Sequence, residues 1–231
     1  MGMGDRASKD RLFDGLAAVG KALASGRRLE QLDVLAQGPR SVEQLATEIG
    51  QSVANTSSHL RMLAGAGLVV SERDGNRVVY SLAGEAVESL LAGLRATAEA
   101  HVAALDRLVA DYLAGRDDLK IMTRSELSDR LGGGEPPVVI DVRPQAEFAA
   151  GHIPGALSVP PNEIVARLRR VPRHAEVVAY CRGPFCVYAD DAVRELSRRN
   201  IEARRLEDGF PEWRRARLPV AVGAEQTSGD R

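Results

Sequence analysis

Cysteine is almost absent from this chain: Cys181 and Cys186 are the only two among 231 residues. Two thiols five positions apart cannot supply the disulfide framework of a small secreted domain. With no secretory leader pattern in the polar start MGMGDRASKDRLF, a reducing, cytoplasmic setting is the expectation. Long hydrophobic runs are missing too. No stretch approaches the ~18 apolar residues of a membrane span, so no membrane partner is expected. Charge of one sign is also lacking, because 31 basic residues face 32 acidic ones for a net charge of -1. That balance excludes bulk polybasic binding and long acidic tails, while leaving room for a local nucleic-acid surface.

What is present is the composition of a globular protein, 44% hydrophobic and 27% charged, able to bury one or two cores. Length divided by ~150 residues per domain gives roughly one and a half. The hydrophobic period settles on two. Apolar residues recur mostly at helical spacing from Arg11 to Leu113, and from Val138 onward short β-branched runs alternate with helical stretches. Between them lie a charged turn at Arg116–Asp118 and a Gly/Pro-rich loop, where few contacts are expected to cross. The expected organisation is a mainly α winged helix-turn-helix domain with a β wing over 1–118, an α/β parallel-sheet domain over 119–222, and a flexible tail over 223–231.

In the first half, helices are expected over Leu12–Leu23, Arg28–Ala36 (stopped by Gly38-Pro39), VEQLATEIG and Ser52–Ala64. Ser41 stands three residues before Gln44, the spacing of a capping box. Two β-rich runs then flank Asp74-Gly75, a strong short-range hairpin signal. Two short helices, a tight turn, a polar helix and a charged hairpin describe a winged helix-turn-helix. A recognition helix needs short hydrogen-bonding side chains facing base edges, and Asn55, Thr56, Ser57, Ser58 and His59, with Arg61 beyond them, fill that role. Arg73 and Arg77 of the wing are placed for phosphates or the minor groove of double-stranded operator DNA. The alternative is a helical core with a solvated polar face. Six basic and six acidic residues lie between Arg27 and Leu82, so DNA affinity would rest on a few placed arginines and on dimerisation.

The run SSHLRMLAGAGLV, within LEQLDVLAQGPRSVEQLATEIGQSVANTSSHLRMLAGAGLVVSERDGNRVVYSL, resembles the ArsR family of dimeric bacterial repressors over roughly 12–112. The resemblance implies a homodimer formed through the terminal helices. Glu85–Leu113 reads as one long helix suited to this, with a leucine-rich face of Leu90, Leu91, Leu94, Leu105 and Leu108. The cysteine pair of metal-sensing members is absent from VEQLATEI. His101, with Glu99 and Asp106 nearby, is too little for a metal site, which needs three or four converging ligands. No metal or cofactor is expected.

The second half opens with the strand Val138–Val142, continues with Val177–Tyr180, a tight loop and a helix from about Val187, and adds a third short strand and a helix in RRLEDGFPEWRRARLPV. Such alternation argues for a parallel sheet, whose ligands bind beyond the strand C-termini. Cys181 stands at that place. Inward backbone N–H groups and the positive end of the following helix would favour its thiolate, and Arg182 would either add charge or point to solvent. The bland alternative is a small buried structural cysteine.

DVRPQAEFAAGHIPGA, YCRGPFC and LEDGFPEW…LPV closely resemble the rhodanese (sulfurtransferase) domain over about 122–220. The resemblance implies that Cys181 accepts a sulfane sulfur, becomes a persulfide and passes the sulfur on. In this reading Arg182, Gly183, Pro184, Phe185 and Val187 shape the loop, and Asp141, Arg143, Glu147 and His152 are scaffolding near it. Related phosphatases need an arginine at the position occupied by Val187, so phosphoryl chemistry is not expected. Cys186 departs from the common pattern. It reads either as a small apolar residue packed inward or as a resolving thiol that attacks a modified Cys181. The combined expectation is a DNA-binding regulator that senses reactive sulfur or another oxidant through Cys181. One alternative is a thiosulfate-type sulfurtransferase whose helical half serves dimerisation or targeting. A weaker one is an arsenic- or metal-responsive repressor.

Overall fold

A computed structural model describes residues 5–116, 118–133, 136–171 and 174–223. Asp117 of the expected linker turn, Gly134 and Glu135 of the Gly/Pro-rich loop, and the expected tail from 224 onward lie outside the described residues. The chain divides into two compact units, 1–90 and 91–231.

The first unit is helical with a small sheet. Helices α1 (Arg6–Leu23), α2 (Gly26–Leu35), α3 (Val42–Glu48) and α4 (Val53–Gly65) are followed by the hairpin β2 (Val69–Asp74) and β3 (Arg77–Leu82). A two-residue strand, β1 (Arg40–Ser41), completes an antiparallel sheet of order β1-β3-β2. The expected capping box is present at α3. The Gln44 amide donates to Ser41 Oγ at 3.3 Å, and the Ser41 amide donates to Gln44 Oε1 at 2.8 Å. The hairpin closes on the Asp74–Arg77 pair, with Gly75 at φ 59° supplying the left-handed turn residue. Leu32, Leu45, Leu60 and Leu63 are fully buried and form its apolar centre.

Helix α5 spans Glu85–His101, and α6 spans Ala103–Tyr112. The single helix expected over Glu85–Leu113 is therefore broken at Val102, which takes φ -106° and ψ 85°. Neither glycine nor proline occurs between 98 and 106, so no local residue signals the break.

The second unit carries a parallel sheet of order β4-β8-β7-β5-β6: β4 (Ile121–Met122), β5 (Val138–Asp141), β6 (Leu157–Ser158), β7 (Val177–Cys181) and β8 (Ala203–Gly209). Helices α7 (Arg124–Leu131), α8 (Gln145–Ala150), α9 (Ile164–Arg167), α10 (Tyr188–Arg198) and α11 (Phe210–Arg215) connect and follow the strands. All five residues of the central strand β7 are buried, as a parallel strand covered on both faces requires. Alternation sends Val177, Ala179 and Cys181 to one side, where α10 packs with Ala192, Val193 and Leu196. Val178 and Tyr180 face the other, against Phe148, Phe210 and Trp213. Among the described residues no helix is long and apolar enough to cross a membrane.

Candidate functional site

Cys181 is the last residue of β7 and only 2% exposed; the expected strand end at Tyr180 moves one residue on. Its neighbour across the sheet is Gly209, the last residue of β8. The loop that follows runs through Arg182, Gly183, Pro184, Phe185 and Cys186 to Val187, which caps α10. It is tightly turned, with the Cys186 amide donating to the Gly183 carbonyl at 3.1 Å. Cys181 and Cys186 are joined as a disulfide with Cα atoms 6.1 Å apart, a normal span for such a bond. Cys186 also packs, partly buried, against the α10-side core. Inward packing and proximity to Cys181, set as alternatives from sequence, thus occur together.

Arg182 turns to Glu147 rather than out to solvent. Its Nε lies 3.1 Å from both carboxylate oxygens of Glu147, which is fully buried, and its Nη2 pairs with Glu147 as well. Its charge is therefore largely spent on a partner, and the loop is tied to α8.

Beneath the loop Asp141 and Arg143 form an ion pair with no exposed side-chain surface. Arg143 Nη2 donates to Asp141 Oδ2 at 2.6 Å and to the Gly151 carbonyl at 2.6 Å, and its guanidinium stacks over Phe210 at 4.2 Å. The Tyr180 hydroxyl donates to Asp141 Oδ2 at 2.6 Å and accepts from the Ile153 amide at 3.1 Å. Burial, reinforced by the Asp141 charge, pushes the Tyr180 hydroxyl well above the usual tyrosine range. His152 is buried, stacked on Phe148, with Nδ1 2.9 Å from the Phe148 carbonyl. Its backbone amide donates to the Ala221 carbonyl at 2.9 Å, pinning the turn to the segment after α11.

Three further arginines meet the loop and its flanks, none of them evident from sequence. Arg116 donates to the carbonyls of Pro184 and Cys186, the latter at 2.5 Å, and pairs through Nε with Asp190 at 2.5 Å. Arg205 donates to the same Pro184 carbonyl at 3.1 Å and pairs with the other oxygen of Asp190 at 3.0 Å. Burial, then the neighbouring Arg116 charge, hold Arg205 below the ordinary arginine value against the pull of Asp190. Arg95 of α5 lies over the Phe185 ring at 5.3 Å and reaches Glu212 Oε1 at 3.1 Å. The contacts of Arg116 and Arg95 join residues about 70 or more positions apart, as with Arg116 and Cys186, and no local pattern encodes such a pairing.

The candidate nucleic-acid surface lies in the first unit. Ser52 caps α4, its Oγ accepting from the Asn55 amide at 3.2 Å. Asn55, Ser58 and Arg61 are exposed, and Ser57 and His59 are half-buried. Thr56 corrects the sequence reading. It is completely buried on the same helix stripe as Leu60 and Leu63, because positions i, i+4 and i+7 share one face. It therefore cannot present its hydroxyl to a base edge. Arg73 and Arg77 stand exposed on the hairpin. Among the described residues no cluster of three His, Cys, Asp or Glu could hold a metal ion.

Two family descriptions match the chain: "Bacterial regulatory protein, arsR family" over residues 25–71 and "Rhodanese-like domain" over residues 123–216. HTH-type transcriptional regulator Rv0324 of Mycobacterium tuberculosis (strain ATCC 25618 / H37Rv) is 46% identical over 229 residues, covering 99% of each chain. A protein named Sulfurtransferase from Allochromatium vinosum is 35% identical over 97 residues, 42% of this chain and 89% of its own. Among solved structures, the homodimeric winged helix-turn-helix DNA-binding domain (fragment 1-100) of Mb0332 from Mycobacterium bovis is 46% identical. It covers 44% of this chain and 92% of that one, with a TM-score of 0.41.

Proposed function

Because the chain belongs to the ArsR family of bacterial transcriptional regulators and carries a rhodanese-like domain, we propose that this domain senses reactive sulfur, or another thiol oxidant, through Cys181. Cys186 serves as the resolving thiol. The observation that carries the reading is the meeting of the chain's only two cysteines in one loop, at the end of a fully buried strand. In the first step the Cys181 thiolate attacks the outer sulfur of a small persulfide, RS–S⁻. The donor's S–S bond breaks, one sulfur moves to Cys181, and RS⁻ leaves. In the second, the sulfur of Cys186 attacks Cys181 Sγ, the persulfide bond breaks, and HS⁻ departs with the Cys186 proton. The two cysteines lose two electrons, and the transferred sulfur gains them.

The regulator half in this reading extends over 1–118 and the rhodanese-like half over 119–222. Double-stranded operator DNA is met by α4 and the β2–β3 hairpin. Exposed Leu12, Phe13 and Leu16 on α1, with Leu90 and Leu94 on α5 and Leu108 and Tyr112 on α6, supply apolar surface for a homodimer through the terminal helices. Sensing requires that the oxidised loop favour one dimer state by a few kcal/mol. Titrating operator DNA with and without polysulfide, in wild type and Cys181→Ser, tests this. The wild-type affinity is expected to shift and the variant's to stay fixed; an equal response in both overturns it.

A second reading is favoured by the match to a protein named Sulfurtransferase: an enzyme that turns sulfur over, with the helical half serving dimerisation or targeting. Steady-state thiocyanate production from thiosulfate and cyanide, without operator binding, would select it.

A further inference from the structure

The loop carrying the cysteine pair is held by a residue outside the span matched to the rhodanese-like domain. Arg116 lies before residue 123, where that match begins, in the segment that follows α6. Its guanidinium reaches three acceptors with three nitrogens: Nε to Asp190 Oδ2, Nη1 to the Pro184 carbonyl and Nη2 to the Cys186 carbonyl. The side chain is 15% exposed, and Asp190 is 3% exposed. A planar fork with five fixed donors suits this arrangement, and a lysine ammonium cannot reproduce it.

The contact falls on the part of the loop that carries Cys186. Cys181 is fixed by β7 and its pairing with Gly209. The other partner, Cys186, lies in the turn, and its position follows the peptide groups on either side of it. Arg116 binds the carbonyl of Cys186 itself and that of Pro184, while Arg205 shares the Pro184 carbonyl and the second oxygen of Asp190. Asp190 sits in the first turn of α10, so the fork bridges the loop to the helix behind it.

We propose that Arg116 is a positioning residue for closure of the Cys181–Cys186 pair, holding Cys186 in line for attack on modified Cys181 and tying the closed loop to the segment after α6. This rests on the sulfur-sensing reading above. It assigns the resolving step, and the route by which that step is felt outside the rhodanese-like domain, to one guanidinium. Losing such alignment slows an intramolecular attack steeply, because misplacement by about 1 Å can cost a hundredfold.

Two rates separate this from a general loss of structure. Persulfidation of Cys181 by polysulfide is measured in a Cys186→Ser background, where closure cannot follow. Closure is measured with both cysteines present, as loss of two hydrogens from the peptide holding them. Full-length wild type, Arg116→Gln and Arg116→Lys are compared. Closure is expected to fall at least about tenfold more than persulfidation in Arg116→Gln, with Arg116→Lys recovering only part of it. Equal losses in the two rates, or closure at the wild-type rate, overturn the proposal and leave the sensing reading standing. A wild-type loop that takes up sulfur or none at all, and never closes, overturns the resolving role of Cys186 and this proposal with it.

Discussion

Gly209 lies against the peptide joining Arg182 to Gly183, so that a Cβ on Gly209 would stand 2.2 Å from the Gly183 nitrogen and 2.3 Å from the Arg182 carbonyl carbon. The obstructing atoms are backbone, which cannot swing aside as a side chain would. Gly209→Ala must therefore displace either the end of β8 or the start of the cysteine loop. Overpacking of this kind costs about 1–3 kcal/mol. The expected outcome is a lower urea midpoint together with slower persulfidation of Cys181. A fully wild-type melt and rate would show that the two backbones are not held in this contact.

Among the described residues Arg143 is the largest fully buried charged side chain, and Asp141 is its buried counter-charge. Replacing Arg143 by Met keeps the volume approximately but leaves the Asp141 carboxylate buried with Tyr180 and the Arg143 amide as its remaining partners. Removing one partner of a buried pair costs about 3–5 kcal/mol. Arg143→Met is expected to lose that much in denaturant unfolding of the second unit, whereas the double variant Asp141→Asn/Arg143→Met recovers part of it. A double variant no better than the single would show that the pair is not coupled.

How much of this could be read beforehand follows from the range of each interaction. Ser41 and Gln44 revealed the start of α3 because a capping box is closed within four residues. Cys181 was legible because a strand, a cysteine and a Gly/Pro loop are consecutive in the chain. Thr56 was misplaced because its residue type suits a base contact, whereas its side is set by helical phase against Leu60 and Leu63. Arg116 was read only as part of a charged turn. Its role depends on Pro184, Cys186 and Asp190, brought to it by the fold, and a guanidinium carries no sequence mark of the carbonyl it will bind. The break at Val102 has no Gly or Pro to announce it.

Tyr180 gives the second unit an alkaline limit. Its hydroxyl is held well above the usual value of 10.0 by burial and by Asp141. The folded protein thus keeps the proton that the unfolded chain releases. A raised folded pKa contributes stability that is fully present below pH 10 and is lost as pH rises from there toward the folded value. The loss from this one group is at most about 1.4 kcal/mol per pH unit. Urea unfolding between pH 8 and 11 is expected to show a decline above pH 10 that is shallower in Tyr180→Phe, although that variant starts from lower stability. Identical slopes in the two proteins would remove Tyr180 as the cause.

The nucleic-acid surface makes separable predictions for four side chains. Arg73 and Arg77 are exposed on the wing, where they face phosphates in the proposed complex. Replacing either by Ala is expected to weaken operator and non-operator DNA alike and to lower the salt slope by about 1. Asn55 is exposed at the start of α4, where a side-chain amide can read a base edge. Asn55→Ala is expected to cost about 1–3 kcal/mol of discrimination at one operator position while leaving the salt slope unchanged. Thr56 is the internal control: it is buried, so Thr56→Val is expected to change stability and leave base preference intact at every position. Binding measured across single-base operator variants at two salt concentrations checks all four. A base preference that moves with Thr56 rather than with Asn55 would mean that α4 enters the groove by another face.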